Sequence, residues 1–405
     1  MEKRRVFLIV LDSLGIGHAK DAARFGDEGS NTLKTIAKSK EFKTPNLQKL
    51  GLFNIDKVKC KEGVDKPIGS FARLCEASQG KDTTIGHWEI AGIISEKALP
   101  TYPNGFPQEV LDEFEKKTGR GTLCNKPYSG TEVIKDYGKR HVDTGDLIVY
   151  TSADSVFQVA AHEDVVPLDE LYKYCKIARE MLTGNHNVGR VIARPFVGEE
   201  GGYQRTSNRH DYSLLPPATT MMDILVENGY ASKGVGKIYD IFAGKSIETT
   251  VHIDNNEDGM EKTFAIQKEN FKGLCFVNLV DFDMIYGHRN DIDGYAKAVS
   301  VFDEQFSTFK ELMRPEDIVM ITADHGCDPG FPGTDHSREN VPFLVYGDDI
   351  KAGVQLGTRN SFADIAATIL DIFELDGDIA GESFWEEIRD CGCARNDKPV
   401  MTSPQ

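Results

Sequence analysis

The chain has 405 residues, of which 40% are hydrophobic and 27% are charged, the balance of a globular protein and not of a disordered or fibrous one. Its 47 Lys and Arg residues against 64 Asp and Glu residues give a formal net charge of −17, and a chain this acidic would repel nucleic acid and anionic membranes. We therefore expect neither as a partner, whereas a small anionic substrate can still bind where basic residues converge.

The first predicted element is a strand at residues 6–11, an apolar run that ends at Asp12. The run is shorter than the ~7–15 apolar residues of a secretory signal, so a buried strand is the better interpretation. No apolar run approaches the ~18 residues of a membrane span. The eight cysteines are scattered, and a chain of this size gains little from disulfides, so we expect reduced thiols and a cytoplasmic location.

Further short apolar runs, rich in β-branched residues, alternate with amphipathic stretches along the chain. Continuous apolar runs of this length are typical of strands covered on both faces, as in a parallel α/β sheet. Helices are predicted at 217–228, at 293–313, where aromatic residues recur on one face that we expect to be core, and at 361–373, with Ser361 as its cap. The later predicted strands are residues 147–151, 190–193, 274–280, 318–322 and 342–346.

Residues 95–213 differ in character from the sequence on either side. Their segments are shorter and rich in turns, and they contain a cluster of Arg and His. The strands predicted before and after this stretch end in polar turns of the same kind. The pattern predicts one α/β domain interrupted by an insertion. We expect a discontinuous core domain at residues 1–94 and 214–405, and an inserted cap domain at residues 95–213.

Asp and His recur directly after three of the predicted strands. Since ligands of open α/β sheets bind beyond the carboxyl ends of the strands, these side chains are expected to converge. Carboxylates gathered in this way repel each other by ~4 kcal/mol per pair at about 4 Å and an effective dielectric of about 20. A divalent cation relieves the repulsion, and a mixture of carboxylate and imidazole suits Mn, Zn or Fe better than Ca. The candidate ligands are Asp12, Asp281 or Asp283, His288, Asp324, His325 and His336.

Two of these assignments have alternatives. Asp12, taken alone, is as readily a turn or helix-cap aspartate as a ligand. Asp281 and Asp283 compete for one role, and the spacing of five residues to His288 favours Asp283.

Residues 80–89, GKDTTIGHWE, contain a candidate nucleophile. A Thr hydroxyl can act as one beside a metal, because the metal stabilises its alkoxide without a dedicated base. Taken alone, such a segment is more often an Asp/Thr turn before a helix than a nucleophile. A metal site close by would favour the nucleophile.

A basic cluster within this acidic chain predicts a phosphate pocket in the cap. Arg presents a planar fork that matches phosphate oxygens. A single Arg is more often part of a surface ion pair, so the prediction depends on the cluster as a whole. The GVGK sequence at 234–237 is too short and too misplaced to be a P-loop. The basic set comprises Arg190, Arg194, Arg205, Arg209 and His210, with Lys237 beyond.

Several stretches together resemble the phosphopentomutase family, which belongs to the alkaline-phosphatase-like metalloenzyme superfamily. The resemblance covers nearly the whole chain, and the GHWE and GTDH sequences within it are specific. The stretches are residues 10–17, 80–89, 150–155, 208–212, 280–283 with 287–288, and 322–326 with 333–336.

The resemblance implies a core with a mostly parallel sheet flanked by helices, a smaller inserted α/β cap, and two Mn²⁺ ions or other divalent metals. One metal would be held by Asp12, Asp324 and His325. The other would be held by Asp283, His288 and His336. The Thr83 oxygen would lie between them, since the family's Lys-Asp-Thr register selects it over the adjacent Thr84. The positions that would face the sugar phosphate are Ser152, Asp154, Arg190, Arg205, Arg209 and Lys237.

The implied activity is that of an isomerase. It would interconvert ribose 1-phosphate and ribose 5-phosphate, and the 2-deoxyribose pair, through phospho-Thr83 and a 1,5-bisphosphate. A sugar bisphosphate would activate the enzyme, the cap would exclude water, and the chain would be a monomer. The alternatives are a phosphatase, phosphodiesterase or sulfatase of the same superfamily, a phosphoglycerate mutase, which uses Ser where Thr83 stands, and a non-catalytic metal-binding protein.

Overall fold

The computed structural model describes residues 4–152 and 154–390. The chain divides into two compact units. The first comprises the residues up to Glu96, Pro217–Tyr239 and the residues from Ser246 onward, and the second comprises Lys97–Pro216 and Asp240–Lys245. Apart from the short segment 240–245, these bounds lie within three residues of those predicted for the core and the cap.

Within the described residues, strands and helices alternate along most of the chain. The strands are β1 (Arg5–Leu11), β2 (Ser70–Leu74), β3 (Thr122–Pro127), β4 (Leu147–Thr151), β5 (Val156–His162), β6 (Arg190–Val197), β7 (Gln204–Arg205), β8 (His210–Ser213), β9 (Ala231–Val235), β10 (Thr249–Val251), β11 (Gly273–Leu279), β12 (Asp317–Thr322), β13 (Val341–Gly347) and β14 (Gln355–Arg359). The helices are α1 (Thr32–Ile36), α2 (Pro45–Leu50), α3 (Thr83–Ile90), α4 (Gln108–Thr118), α5 (Glu132–Thr144), α6 (Leu168–Met181), α7 (Met221–Glu227), α8 (Ile238–Ile241), α9 (Asn256–Lys268), α10 (Ile292–Leu312), α11 (Asp364–Ile372) and α12 (Trp385–Ile388).

The first unit contains an eight-stranded sheet in the order β10-β9-β11-β1-β12-β13-β2-β14. Its pairings are parallel except those of β13, which runs antiparallel to β12 and β2. Every residue of β1, β11 and β12 is buried, which explains their continuous apolar runs. The α/β fold and mostly parallel core sheet expected from the sequence are therefore confirmed.

Two predicted helices begin later than expected. The helix predicted from 217 begins at Met221, because Thr220 and Asp223 form a capping box that starts it there. The helix predicted from 361 begins at Asp364, so the prediction that Ser361 caps it was wrong. The Ser361 hydroxyl donates to the Glu89 carboxylate at 2.8 Å and accepts the Ala363 N–H at 3.0 Å, so these residues form a turn and not a helical start.

The second unit contains a mixed sheet in the order β3-β4-β5-β6-β7, with β8 also paired to β6. The larger apolar cluster covers one face, where it includes residues of α4 and α6. A smaller cluster, which includes Ile134 of α5 and Tyr150 of β4, covers part of the other face. Because side chains alternate along a strand, Arg190 and Arg194 of β6 share a face.

Among the described residues, no helix is long and apolar enough to cross a bilayer. The cysteines within these ranges, including the buried Cys175, Cys275 and Cys327, carry free thiols.

Candidate active site

Three neighbouring strands, β11, β1 and β12, end at the same edge of the eight-stranded sheet. They pair in register, with Leu11 beside Leu279 and Val10 beside Thr322. Asp12 follows β1 directly, and its N–H donates to the Leu279 carbonyl at 3.2 Å. Because parallel strands bring their carboxyl ends to one edge, the acidic and histidine residues that follow them meet there.

Asp12, Asp324 and His325 form the first cluster. His325 Nε2 lies 3.4 Å from Asp12 Oδ1 and 3.3 Å from Asp324 Oδ2, and the three side chains are at most 2% exposed. The Thr83 hydroxyl oxygen lies 3.2 Å from the same imidazole nitrogen. The structure therefore brings the predicted nucleophile to the first predicted ligand set.

Asp283, His288 and His336 form the second cluster. Asp283 Oδ2 lies 3.2 Å from His288 Nε2, and Asp283 Oδ1 lies 3.4 Å from His336 Nε2. The two imidazole Nε2 atoms are 3.1 Å apart. The ring of His336 also lies against that of His325, with centroids 4.0 Å apart, so the two clusters are continuous.

The turn after β11 separates the roles of Asp281 and Asp283. Residues Phe282–Tyr286 form a single π-helical turn, an irregularity that is frequent at functional sites. Asp283 lies within this turn and faces the histidines. Asp281 Oδ2 instead accepts the N–H of Asn256, the first residue of α9, at 2.8 Å. Asp281 therefore holds the start of α9, and Asp283 is the member of the cluster.

The carboxylate oxygens of the two clusters fit divalent metal ions. Asp12 Oδ1, Asp283 Oδ1 and Asp324 Oδ2 are buried and form no well-aligned hydrogen bond among the residues that the structure describes, and each lies 3.1–3.4 Å from an imidazole nitrogen. Such oxygens are costly to bury unless a cation compensates them. Carboxylate oxygens together with imidazole nitrogens are a common ligand set for transition metals. The groups with suitable spacing are Asp12, Asp324 and His325; Asp283, His325 and His336; and Asp283, His288 and Cys327.

Burial and neighbouring charges shift the pKa values within the clusters. Burial raises the pKa of Asp12, and the Asp324 carboxylate adds to the increase. Burial opposes ionisation of Asp283, but the imidazoles of His336, His288 and His325 together outweigh burial and hold the pKa of Asp283 well below its usual range. Burial disfavours the charged form of His325, yet Asp324 and Asp12 raise its pKa well above the usual value. A metal would therefore have to displace a proton from His325 in order to bind.

Two residues that the sequence analysis did not select support the first cluster. His87 Nδ1 lies 3.1 Å from Asp324 Oδ2 and 2.9 Å from the Thr83 carbonyl oxygen, so it joins a predicted ligand to the helix of the nucleophile. Asn278 Nδ2 donates to Asp12 Oδ2 at 2.8 Å. Two features of the sequence could have identified them. His87 follows Thr83 by one helical turn and shares its face, and Asn278 is a polar residue within an apolar strand.

The start of α3 fixes the position of Thr83. Asp82 caps this helix by accepting two N–H groups of its first turn, one of them from Thr84 at 3.1 Å. Gly86 lets the helix lie close to the first cluster, because a Cβ at this position would lie 2.2 Å from the Asp324 carbonyl oxygen. The cap and the glycine together hold the Thr83 hydroxyl beside His325.

In the second unit, some of the predicted phosphate-binding residues are engaged with acidic neighbours. Arg209 donates to both carboxylate oxygens of Asp211, at 2.7 and 2.6 Å. Arg190 lies 3.8 Å from Asp211 and 3.6 Å from Asp154. The Ser152 hydroxyl accepts the N–H of Asp154 at 3.3 Å. Asp211, which the sequence analysis did not select, thus neutralises part of the predicted cluster.

The other members of the basic set lie in different surroundings. Arg205 lies on β7 and lines a cavity of about 620 Å³ in the second unit together with Arg194 and Arg209. His210 packs its ring against two tyrosines. Lys237 belongs to the first unit, where it is half-buried in the turn after β9.

Comparisons with known proteins match most of the chain. A family model described as the Metalloenzyme superfamily matches residues 4–377. A phosphopentomutase from Lachnoclostridium phytofermentans is 64% identical over 385 residues, which cover 95% of this chain and 99% of the relative. A phosphopentomutase from Carboxydothermus hydrogenoformans is 57% identical over 387 residues, which cover 95% and 100%. Among solved structures, the PH0037 protein from Pyrococcus horikoshii is 16% identical, with a TM-score of 0.48, and the match covers 94% of this chain and 100% of that one.

Proposed function

This chain belongs to the phosphopentomutase family of the Metalloenzyme superfamily and is an isomerase that acts on sugar phosphates, and on that premise we propose that it transfers a phosphoryl group between O1 and O5 of ribose and of 2-deoxyribose through Thr83. The observation that supports Thr83 is its hydroxyl oxygen, 3.2 Å from His325 Nε2. A phosphoryl acceptor in this position lies beside the first candidate ligand cluster, which is continuous with the second through His325 and His336.

In the proposed cycle, Thr83 carries a phosphoryl group on Oγ1. The free hydroxyl of the bound pentose phosphate attacks the phosphorus, the P–O bond to Thr83 breaks, and the hydroxyl proton ends on Thr83 Oγ1. The product is a 1,5-bisphosphate. Its other phosphoryl group then returns to Thr83, with the proton transfer reversed, and the isomer leaves. At the end of the cycle Thr83 is phosphorylated again, and the phosphate of the sugar has moved from O1 to O5 or from O5 to O1.

The two clusters would hold two divalent metals, which we propose to be manganese because the family resemblance implies it, and the mixture of carboxylates and imidazoles is compatible with Mn, Zn or Fe. When bound, the metals would stabilise the charge on the attacking and leaving oxygens. His87 would keep the helix of Thr83 in place, since it contacts both Asp324 and the Thr83 carbonyl. Asn278 would orient the Asp12 carboxylate. The proposed ligands are Asp12, Asp324 and His325 for one metal, and Asp283, His288 and His336 for the other.

The phosphate that does not react would be held by the basic residues. The guanidinium groups can form charge-assisted hydrogen bonds to phosphate oxygens. Asp211 holds Arg209 and lies near Arg190, which supports a fixed orientation for both side chains. The proposed substrate-binding residues are Ser152, Asp154, Arg190, Arg205, Arg209 and Lys237.

Three further parts of the proposal concern the setting of the reaction. A sugar bisphosphate would act as the activator, because it can phosphorylate an empty Thr83. Free thiols support the cytoplasm, which is a reducing compartment. The chain would act as a monomer, which sedimentation analysis of the purified protein can test.

The experiment that tests Thr83 compares two neighbouring threonines. Ribose 1-phosphate is supplied with Mn²⁺ and a trace of sugar bisphosphate, and ribose 5-phosphate and inorganic phosphate are measured together. We expect the wild type to form far more isomer than free phosphate, because a positioned sugar hydroxyl competes well with water. Thr83→Ala should lose isomerisation while keeping its fold and metals, and Thr84→Ala should retain it.

Intact-mass analysis provides an independent readout. One phosphate should be present on the wild type and absent from Thr83→Ala after treatment with the bisphosphate. Free phosphate as the main product would make the enzyme a hydrolase. An active Thr83→Ala variant would reject Thr83 as the nucleophile.

A further inference from the structure

The cavity of the second unit lies on one face of its sheet. It has a volume of about 620 Å³ and is lined by Thr131 and Lys135 near the start of α5, by Arg194 of β6, and by Arg205 and Arg209. In the strand register, Tyr150 of β4 lies opposite Gln158 of β5, and Arg194 lies opposite Ala160. Tyr150, Gln158 and Arg194 therefore belong to the same face of the sheet.

The charges around this cavity are only partly balanced. Arg209 is neutralised by its two hydrogen bonds to Asp211. Arg194 donates to a neutral group, the Gln158 side-chain oxygen, at 3.1 Å. The ion pairs formed among the described residues include neither Arg194 nor Arg205. Burial lowers the pKa of Arg194, and the positive charge of Arg209 lowers it further. Two cations without a carboxylate partner thus share this space in a chain whose net charge is −17.

Tyr150 supplies a neutral donor beside these cations. Its side chain is 1% exposed, and its hydroxyl has no hydrogen-bond partner among the described residues. A Cβ on Gly130 would lie 2.9 Å from this hydroxyl and 3.1 Å from Arg205 Nη1. The hydroxyl and the guanidinium therefore both lie close to Gly130, at which a side chain would clash with them. Buried hydroxyl groups in folded proteins normally have a hydrogen-bond partner.

We propose that the cavity binds the phosphate group of a sugar phosphate, with Arg194 and Tyr150 as binding residues beside Arg205. The proposal rests on the proposed function for its ligand class and adds two residues to the phosphate-binding set. Two unpaired guanidinium groups match the two negative charges of a phosphate monoester at neutral pH, and the Tyr150 hydroxyl can donate to a third phosphate oxygen. Arg209, which forms two hydrogen bonds to Asp211, would play the smaller part in holding the dianion.

The test measures binding and not turnover. Dissociation constants for ribose 5-phosphate, a sugar bisphosphate and unphosphorylated ribose are determined by titration calorimetry. The protein is the full-length chain with its metals, carrying Thr83→Ala so that phosphoryl transfer does not accompany binding. We expect Arg194→Gln to weaken ribose 5-phosphate binding by about ten- to a hundredfold and Tyr150→Phe by about two- to tenfold. Binding of unphosphorylated ribose should not change.

The controls separate the cavity from general electrostatics and from misfolding. Arg140→Gln removes the same charge from an exposed position on α5 and should bind as the parent does. Arg194→Lys retains the charge and should recover part of the affinity. If Arg194→Gln does not fold, the dissociation constants of Tyr150→Phe still test the proposal. Weakening for the bisphosphate alone would assign the cavity to the activator's phosphate.

Parent-like affinity for both phosphorylated ligands in Arg194→Gln and Tyr150→Phe would overturn the proposal. A failure of the proposed function has a different signature. It would appear as isomerisation by Thr83→Ala, and the binding comparison would still be valid.

Discussion

Arg5 and Asp317 form a bidentate ion pair across the amino ends of β1 and β12, with Nε–Oδ1 and Nη2–Oδ2 distances of 2.7 Å. The two side chains are 1% and 0% exposed. Arg5 Nη1 also donates to the carbonyl oxygens of Gln267 and Glu269, both at 2.8 Å. The pair lies at the opposite end of these strands from Asp12 and Asp324. Substitutions at the pair should therefore change the stability of the protein without directly disturbing the candidate active site.

Asp317→Ala should destabilise the protein strongly, because it leaves the buried Arg5 guanidinium without its carboxylate. The expected loss is ~3–5 kcal/mol in the free energy of unfolding. The double variant Arg5→Met with Asp317→Leu should be less destabilised than Asp317→Ala, since neither charge remains buried. Urea unfolding measures both, and folded Asp317→Ala should retain its metals. Equal stability of Asp317→Ala and the wild type would contradict this account.

Asp324→Asn and His336→Ala should each lose bound metal and activity together. Removing one ligand weakens metal binding and leaves the remaining carboxylates to repel each other. Asp281→Asn is the matched control, because Asp281 accepts the N–H of Asn256 and lies outside the clusters. Elemental analysis of the purified variants gives the metal content. Full occupancy with intact activity in the first two variants would rule out these ligands.

Gly86→Ala should impair catalysis while the fold is kept. The added Cβ would lie 2.2 Å from the Asp324 carbonyl oxygen, so α3 must move and carry Thr83 away from His325. A displacement of about 1 Å can cost on the order of a hundredfold in rate. Gly202→Ala is the control, because its Cβ would meet only the Glu199 carbonyl at 3.7 Å. The measurement is kcat, with circular dichroism to check folding, and equal kcat for the two variants would refute the role of Gly86.

Arg190→Ala should lower kcat/KM without lowering the metal content. Loss of a charge-assisted contact to phosphate is worth about ten- to a hundredfold. The side chain lies 3.6 Å from Asp154 and 3.8 Å from Asp211, so part of the effect would come from the release of these carboxylates. Arg140→Ala, at an exposed position, should have unchanged kinetics. Unchanged kinetics in Arg190→Ala with ribose 5-phosphate would place this residue outside the substrate site.

The stability of the protein should depend on pH through Glu339. Burial raises the pKa of this carboxyl to about 7 from the ordinary 4.5. The folded chain therefore binds more protons than the unfolded chain between these values, and stability falls as the pH rises through them. The slope is at most about 1.4 kcal/mol per pH unit. Glu339→Gln should remove this contribution. The difference in the free energy of unfolding between the variant and the wild type should therefore change between about pH 5 and 7, and it should be constant above about pH 8.

The sequence predicted most fully those parts of the first unit that are buried on both faces. The strands β1, β11 and β12 were predictable because each is a continuous apolar run, and the cluster residues because they follow the ends of these runs directly or within the next loop. The strand β2 was not predicted, since its sequence includes Ser70 and Arg73. Arg73 is accommodated because it donates to the carbonyl oxygens of Ile16 and Gly17, contacts that only the folded chain provides.

Two features of the site are settled by contacts that sequence spacing alone does not reveal. The spacing to His288 favoured Asp283, and the folded π-helical turn after β11 places Asp283 against the histidines while Asp281 accepts the N–H of Asn256. The pairing of Arg209 with Asp211 is local in sequence, but its consequence, that Arg194 and Arg205 remain without a carboxylate partner, depends on the strand register of the second unit. Composition could therefore identify a basic cluster without showing which of its members are free to bind an anion.

The interrupted arrangement of the first unit has a consequence for synthesis on the ribosome. Arg5, at the start of β1, pairs with Gly273 and Asp317, whereas nearly all of the second unit is the continuous stretch Lys97–Pro216. At ~5–20 residues per second, β1 is made roughly 15–60 s before its neighbour β12. The second unit can acquire its own sheet during this interval. The central strands of the first unit cannot pair until β12 has been made. Until then the apolar strand β1 is exposed in the nascent chain and needs protection from aggregation.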